Sequence, residues 1–322
     1  FTLEPRPPLL FGEGASRKTG EVLKKLGSKR AMICCDKGVK NAGLVDPIAQ
    51  SISEEGIEIC IFDGVVPNPT ESSVYDGSDR FAAFQGDAIV AIGGGSAMDT
   101  AKAISLLTAN PRPLSQYYLG PGMGGIITSD ATGFKMVIMG PQLAAQQAIL
   151  DPLLTVGLPK FTTAITGLDA MSHAFDGIFT TGRSVMSDIY MSKAIELIWN
   201  YLPLVVNENP ADLEGRGAMC LGACLPLLYD GINWSHAFAH TFSNLFHNVP
   251  HGLACAWAFP CYVKWMVPLR REESRIIAGI LGVDPGSQGI AQEIYEKLIA
   301  FIKTLGIPAP KDFEGVDYDT WT

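Results

Sequence analysis

Paired thiols are missing from this chain. Its seven cysteines, Cys34, Cys35, Cys60, Cys220, Cys224, Cys255 and Cys261, contain no Cys-x-x-Cys pair and stand mostly among apolar neighbours. They read as reduced core residues rather than as a disulfide framework or a paired-thiol metal site. Basic clusters are missing too. With a formal charge of −9 and no run of Lys or Arg interleaved with aromatics, the chain would be repelled by a phosphate backbone, which excludes nucleic acid as the expected partner. No apolar run approaches the roughly 20 residues that span a bilayer, so no membrane association is expected. The opening "FTLEPRPPLLFGEG" has neither the basic start nor the long apolar core of a secretory signal. The expected location is cytoplasmic. Disorder is excluded by what is abundant: 47% of the residues are apolar and mean hydropathy is +0.19, ample for a buried core, and 322 residues suggest two domains.

The two halves differ in texture. From Arg30 to Leu107, the runs "RAMICC", "IEICIF" and "AIVAIGGG" alternate with "VDPIAQSISEEG" and "ESSVYDGSDRFAAFQG", whose apolar positions recur at helical intervals. Crossovers of this length imply parallel strands, so the first half is expected to be an α/β domain with a doubly wound, mostly parallel sheet and a ligand crevice at the strand carboxyl ends. Beyond Phe161 the strand signals vanish. "SVMSDIYMSKAIELIWNYL", "RGAMCLGACLPLLYD" and "GIAQEIYEKLIAFIKTLG" read as helices of an all-α domain. Prolines at 152 and 159 break any continuous element in "ILDPLLTVGLPKF". The division is accordingly expected within 149–161, giving domains at 1–157 and 158–322.

Two stretches of the first half carry chemistry. "GGGSAMDTAK", Gly93 to Lys102, follows a strand and opens a helix. Residues without Cβ atoms let backbone N–H groups approach an anion at that helix N-terminus, and a phosphate fits there. The alternative is a tight strand-to-helix turn and nothing more; the turn follows the third predicted strand and is not a G-x-G-x-x-G fingerprint. In "CCDKGVK", Asp36 closes the first strand of the series, where a carboxylate accepts hydrogen bonds from ribose hydroxyls, or equally caps a helix.

Histidine is scarce, and four of the five lie in "SHAFAHTFSNLFHNVPHG", Ser235 to Gly252. His236 and His240 are four apart and share a helix face; His247 falls near that face if the helix runs on. Pro250 should stop the helix or start another, delivering His251 from a loop or a first turn. The fifth, His173, follows Asp169 by four residues in "GLDAMSHAFDG". Two such pairs on separate helices supply oxygen and nitrogen donors for a mononuclear site, suited to Fe²⁺ or Zn²⁺ with no thiolate to bias the choice. The alternative is packed or capping histidines in a helical core.

"GGGSAMDTAK", "ILDPLLTVGLP", "TAITGLDAMSHAFDG" and "HAFAHTFSNLFHNVPHG" occur in this order along nearly the whole chain, and together they closely resemble the iron-containing (group III) alcohol dehydrogenase family. The resemblance implies a dehydroquinate synthase-like fold with an N-terminal dinucleotide-binding domain, a helical C-terminal domain, and metal and substrate in the cleft between them. It places the metal ligands on Asp169, His173, His236 and His251. His240 falls at a position that contacts substrate or relays a proton, and His247 is left unassigned. The family's nucleotide residues carry over onto Asp36, Gly94, Gly95, Ser96, Asp99, Lys135 and Leu158. The implied activity is hydride transfer between NAD(H), with NADP less favoured, and a small alcohol or aldehyde, with iron as first choice of metal and zinc as second. At least a homodimer is implied. Alternatives are an NAD-using, metal-dependent carbon–oxygen lyase of the dehydroquinate synthase type, whose cluster of Lys and Arg for a phosphorylated polyol the helical half scarcely shows, or a non-catalytic descendant. Phe238, Phe242 and Trp257 are candidates for apolar cleft walls or equally for core. The Thr/Ser/Gly-rich stretch that the family usually carries within the region "YYLGPGMGGIITSDATGFK" is missing, and the chain ends at "VDYDTWT" where family members continue; a longer natural chain is expected at both places.

Overall fold

The computed structural model describes residues 7–118, 124–140, 143–228, 234–246, 248–314 and 316. The chain divides into two compact units between Asp151 and Pro152. That lies inside 149–161 and six residues before the 157/158 boundary expected from the sequence. The physical reason is local. Asp151 is buried and its carboxylate accepts from Gly14 N, Ser16 N and Ser16 Oγ, which ties it to the first unit. Thr155 and Leu158 instead line a cavity of the helical unit with Thr163 and Arg216.

The first unit begins with strand β1 (Leu9–Phe11) and helix α1 (Thr19–Lys25), then runs β2 (Arg30–Cys34), α2 (Lys37–Asn41), α3 (Asp46–Glu54), β3 (Glu58–Phe62), α4 (Glu71–Phe84), β4 (Ala88–Ala91) and α5 (Gly95–Ala109). It closes with β5 (Gly124–Thr128), β6 (Lys135–Met139) and β7 (Ala148–Leu150). The three strands expected from the apolar runs pair in parallel in the order β3-β2-β4. Central β2 shows why its sequence is unbroken by polar residues: Ala31, Met32, Ile33 and Cys34 are fully buried, as a strand covered on both faces requires. The pair β1 and β7 is parallel, and β5 and β6 form an antiparallel hairpin. Starting in the middle at β2, the chain steps to β3 on one side and returns to β4 on the other. The order therefore reverses between β2 and β4, and in open α/β sheets a ligand crevice lies outside the strand ends at such a reversal.

The second unit is helical: α6 (Lys160–Phe179), α7 (Val185–Pro203), α8 (Leu213–Cys224), α9 (Trp234–Leu245), α10 (His251–Leu269), α11 (Arg271–Leu281) and α12 (Ile290–Thr304). Helix α6 packs against α7, α8, α9 and α10 and is buried over most of its length. Leu168, Met171, Phe175 and Ile178 anchor it in the main core, with Phe175 edge-on to Phe259 at 4.8 Å between ring centroids. A helix apolar all round is a buried helix, so the polar residues inside α6, Asp169, His173 and Asp176, stand out as needing partners.

Candidate metal centre and nucleotide turn

Three helices bring the candidate ligands together. Asp169 and His173 project from one face of α6, and His236 and His240 from one face of α9. Pro250 caps α10, so that His251 is its first residue. Gly252 decides how close α10 comes. A Cβ at that position would stand 2.7 Å from the Ile165 carbonyl oxygen, so only glycine lets this end of α10 lie on the α6 backbone one turn before Asp169.

His236 is held from both sides. Its Nε2 lies 2.9 Å from Asp169 Oδ1 and its Nδ1 lies 3.4 Å from Asp176 Oδ2, and the Asp176 carboxylate also accepts from Ser235 N and Ser235 Oγ. His173 stacks on His236 with centroids 3.7 Å apart and an interplanar angle of 30°, its Nε2 3.7 Å from Asp169 Oδ1. His240 stacks on His251 at 4.7 Å and 17°. The donor atoms of Asp169, His236, His251 and Cys255 all lie within 4.8 Å of one another. One carboxylate oxygen, two imidazole nitrogens and a sulfur converging in this way fit a divalent ion.

Sequence reasoning missed two of these residues. Asp176 stands seven residues after Asp169, on the same face of α6, and turns out to be the carboxylate behind His236, in the place from which a carboxylate orients an imidazole through its second nitrogen. Cys255 follows His251 by four residues on α10 and its Sγ lies 3.5 Å from His251 Nε2. It is a reduced core residue as expected, yet it puts a thiol among donors that the sequence was read as leaving free of sulfur. Both spacings were visible in the sequence, but their importance depended on knowing which helices meet. His247 lies outside the described residues. Phe242 and Trp257 belong to a core cluster, packed edge-on at 5.3 Å, with Trp257 Nε1 donating to Pro308 O. Phe238 is 65% exposed.

The charges explain the protonation of the metal-free cluster. Burial alone would raise the Asp169 carboxyl, but the hydrogen bond from His236 and the nearby His251, His173 and His236 hold it well below the usual carboxylate range. Burial alone would lower His236; its hydrogen bonds to Asp169 and Asp176 and the charges of both push it up to about 9. A metal takes the neutral imidazole, so below pH 9 uptake through His236 would expel its proton. If His236 is a ligand, affinity of the metal-free protein for zinc is expected to rise about tenfold per pH unit between pH 6.5 and 8, with about one proton released from His236 per ion, and to level off as pH 9 is approached. Competition with a chromophoric chelator measures this, and a flat profile from pH 6.5 to 8 would remove His236 from the ligands.

In the first unit, Asp36 and the turn of Gly94, Gly95 and Ser96 lie together at the strand reversal. Cys34 and Ala91 are paired across β2 and β4, so Asp36 and Gly93, two residues beyond each, stand side by side. A Cβ on Gly93 would be 3.8 Å from Asp36 Oδ2, and the φ of +143° at Gly93 is a conformation that side chains rarely adopt. Gly94 caps α5 without any side-chain hydrogen bond, and a Cβ on Gly94 or Gly95 would meet nothing within 4 Å. Gly94, Gly95 and Ser96 thus present a helix N-terminus with room for a phosphate. Asp36 caps α2, its Oδ1 accepting from Val39 N at 2.9 Å, while Oδ2 faces the glycine turn. Asp99 accepts from Ile126 N at 3.1 Å and lies 3.9 Å from Lys102 Nζ. Lys135 opens β6 opposite Thr128. Leu158 stands in the helical unit, 37% exposed.

Comparison with known proteins agrees with this chemistry. Residues 7–152 match the iron-containing alcohol dehydrogenase family and residues 163–320 match the C-terminal part of the Fe-containing alcohol dehydrogenase family. The NAD-dependent methanol dehydrogenase of Bacillus methanolicus is 30% identical over 331 residues, covering 94% of this chain and 86% of that protein. The 1,3-propanediol dehydrogenase of Klebsiella pneumoniae is 32% identical over 330 residues, covering 92% and 84%. A crystal structure of a 1,3-propanediol oxidoreductase superposes with a TM-score of 0.89 at 29% identity, covering 96% of this chain and 88% of that one. Matched in both halves and aligned with relatives over nearly its whole length, this chain belongs to the iron-containing alcohol dehydrogenase family, a family of oxidoreductases that implies a nicotinamide cofactor and a divalent metal.

Proposed function

We propose that the protein transfers a hydride between NAD(H) and a small primary alcohol or its aldehyde, at a metal held by the helical unit. The observation that carries this reading is the convergence of Asp169, His236 and His251 from three helices. Similar proteins named for methanol and 1,3-propanediol point to short substrates. When bound, the divalent ion supplies Lewis acidity toward an alcohol or carbonyl oxygen and the nicotinamide supplies the hydride acceptor. The family favours iron, and zinc suits the same carboxylate and imidazole donors.

The chain's own residues supply position, charge and a proton path. Asp169 offsets the charge of the ion and lies beside His173 and His236. Asp176 accepts from Nδ1–H of His236 and so keeps Nε2 turned toward the donor cluster. His240, one helical turn beyond His236 and stacked on His251, carries the alcohol proton away on its imidazole as oxidation proceeds. Gly94, Gly95 and Ser96 receive the cofactor pyrophosphate through backbone N–H groups. Growth of NADH absorbance over a panel of short alcohols and diols, and its loss with the matching aldehydes, tests the reading. Metal-loaded protein without turnover on any of them would overturn it.

NAD is preferred over NADP because Asp36 faces the ribose position with a negative charge that a 2′-phosphate would meet. The nearest cations give limited relief, since Lys40 Nζ is bonded to Asp63 Oδ2 at 2.6 Å. Asp36→Ser keeps a side-chain oxygen to cap α2 while removing the charge. A hydrogen bond to a charged group is worth about 1.5–3 kcal/mol, so this variant should lose roughly one to two orders of magnitude in kcat/KM with NAD and approach parity with NADP. Steady-state kinetics with both cofactors measures it, and a wild-type enzyme that works better with NADP would refute the role of Asp36.

A further inference from the structure

We infer that the cavity between α6 and α8 is a binding site for a short aliphatic carboxylate, with Arg216 as the residue that receives its charge. The inference goes beyond the hydride-transfer reading: none of the residues that line this cavity belongs to the metal centre, so either can fail and leave the other standing.

Arg216 stands in the first turn of α8 and is only 2% exposed. Its Nε donates to Pro210 O at 2.8 Å and its Nη1 to Thr163 Oγ1 at 3.1 Å, but its Nη2 is buried without an acceptor. Both partners are neutral. Burial lowers the pKa of the guanidinium, and among the described residues the group that raises it is the Cys220 thiol rather than a carboxylate. A guanidinium keeps its charge at any ordinary pH, and a buried charge without a counter-ion is costly. Thr163 adds a second donor. Its hydroxyl, buried on α6, accepts from Arg216, and its own proton meets no acceptor among the described residues.

Arg216 and Thr163 line one cavity of about 130 Å³, several times the roughly 30 Å³ that a water molecule takes up in the liquid. Both are buried, whereas Leu158, Thr166 and Ala223, which line the same cavity, are exposed, so it is reached from solvent past these three. Leu158, Met219 and Ala223 make much of its wall apolar. A carboxylate has two oxygens for the two free donors and a hydrocarbon chain for that wall, and it supplies the charge that the guanidinium lacks. Phosphate or sulfate would turn further oxygens toward side chains that cannot donate to them. Held by Arg216, which already ties Pro210 and Thr163 to α8, the acid would strengthen the helical unit.

Thermal unfolding of the whole protein in rising concentrations of butyrate tests the inference. A ligand that binds the folded state raises Tm steadily with the logarithm of its concentration, here by a few degrees. Butyramide, which has the same shape without the charge, and chloride at matched ionic strength should leave Tm unchanged. Arg216→Met keeps most of the side-chain length and removes the charge, and should abolish the butyrate effect. Ala223→Leu narrows the exposed mouth of the cavity without touching the buried donors; it should fold normally and abolish the effect as well, so the test stands even where Arg216→Met fails to fold. No rise with butyrate, or an equal rise with butyramide or chloride, would overturn the inference. A rise that persists in Ala223→Leu would also overturn it, by placing the acid elsewhere, for instance on an ion at the metal centre.

Discussion

The Asp169→Asn protein is expected to fold, to lose its metal and with it to lose turnover. The amide reproduces the shape of the carboxylate inside α6, so the packing of Leu168, Met171 and Phe175 is untouched. What disappears is the charge that lies 2.9 Å from His236 Nε2 and 3.7 Å from His173 Nε2. An amide opposes a donor to those nitrogens through one of its two groups and offers an ion no negative charge through the other. Residues that only orient metal ligands are worth about 10–100-fold in metal affinity or activity. A direct donor that also carries charge should exceed this, so a fall in kcat/KM of roughly 10³-fold is expected, with less than a full equivalent of metal after dialysis. Asp176→Asn provides the comparison, since its carboxylate only backs His236 and its effect should stay within about 10–100-fold. Metal analysis and kinetics on the two variants measure both. Full metal and near-normal turnover in Asp169→Asn would reduce Asp169 to an ion-pair partner of His236.

His240→Ala is expected to separate metal binding from catalysis. The imidazole lies against His251 rather than among the four mutually close donors, so its removal should leave a full equivalent of metal. Loss of a positioned proton carrier usually costs about 10²–10⁴-fold in rate. The lower end, about 10²-fold in kcat at neutral pH, is expected here because His240 is only half-buried and water enters the space it leaves. Free imidazole in the assay should restore part of the lost rate, an effect that a purely structural role would not produce. A His240→Ala protein that loses its metal would make His240 a ligand, and one with unchanged kcat would remove it from the proton path.

The strands at Arg30–Cys34, Glu58–Phe62 and Ala88–Ala91 and the helices carrying Asp169, His173, His236 and His240 were legible in the sequence, because each depends on periodicity within one segment. The i,i+4 pairs Asp169–His173 and His236–His240 could therefore be assigned to faces without knowing what those faces meet. Proline at 250 likewise marked a break in the helix, with His251 on a loop or in a first turn, and the structure puts it in the first turn of α10.

Contacts between segments were not legible. Nothing in the local pattern tells that α10 lies so close to α6 that glycine is required at 252, yet that approach is what brings His251 and the Cys255 Sγ within 4.8 Å of the Asp169 and His236 donor atoms. The same holds for Asp176, whose distance in sequence from His236 hides a 3.4 Å contact, and for Asp36, whose capping bond to Val39 N leaves its second oxygen turned to Gly93 of a different strand end. By itself, the sequence determined which segments are strands or helices and which polar residues share a face, since backbone periodicity is a property of a single segment. Only the tertiary structure decided which of those residues form one centre, because distances between side chains on separate helices are set by how closely their backbones pack.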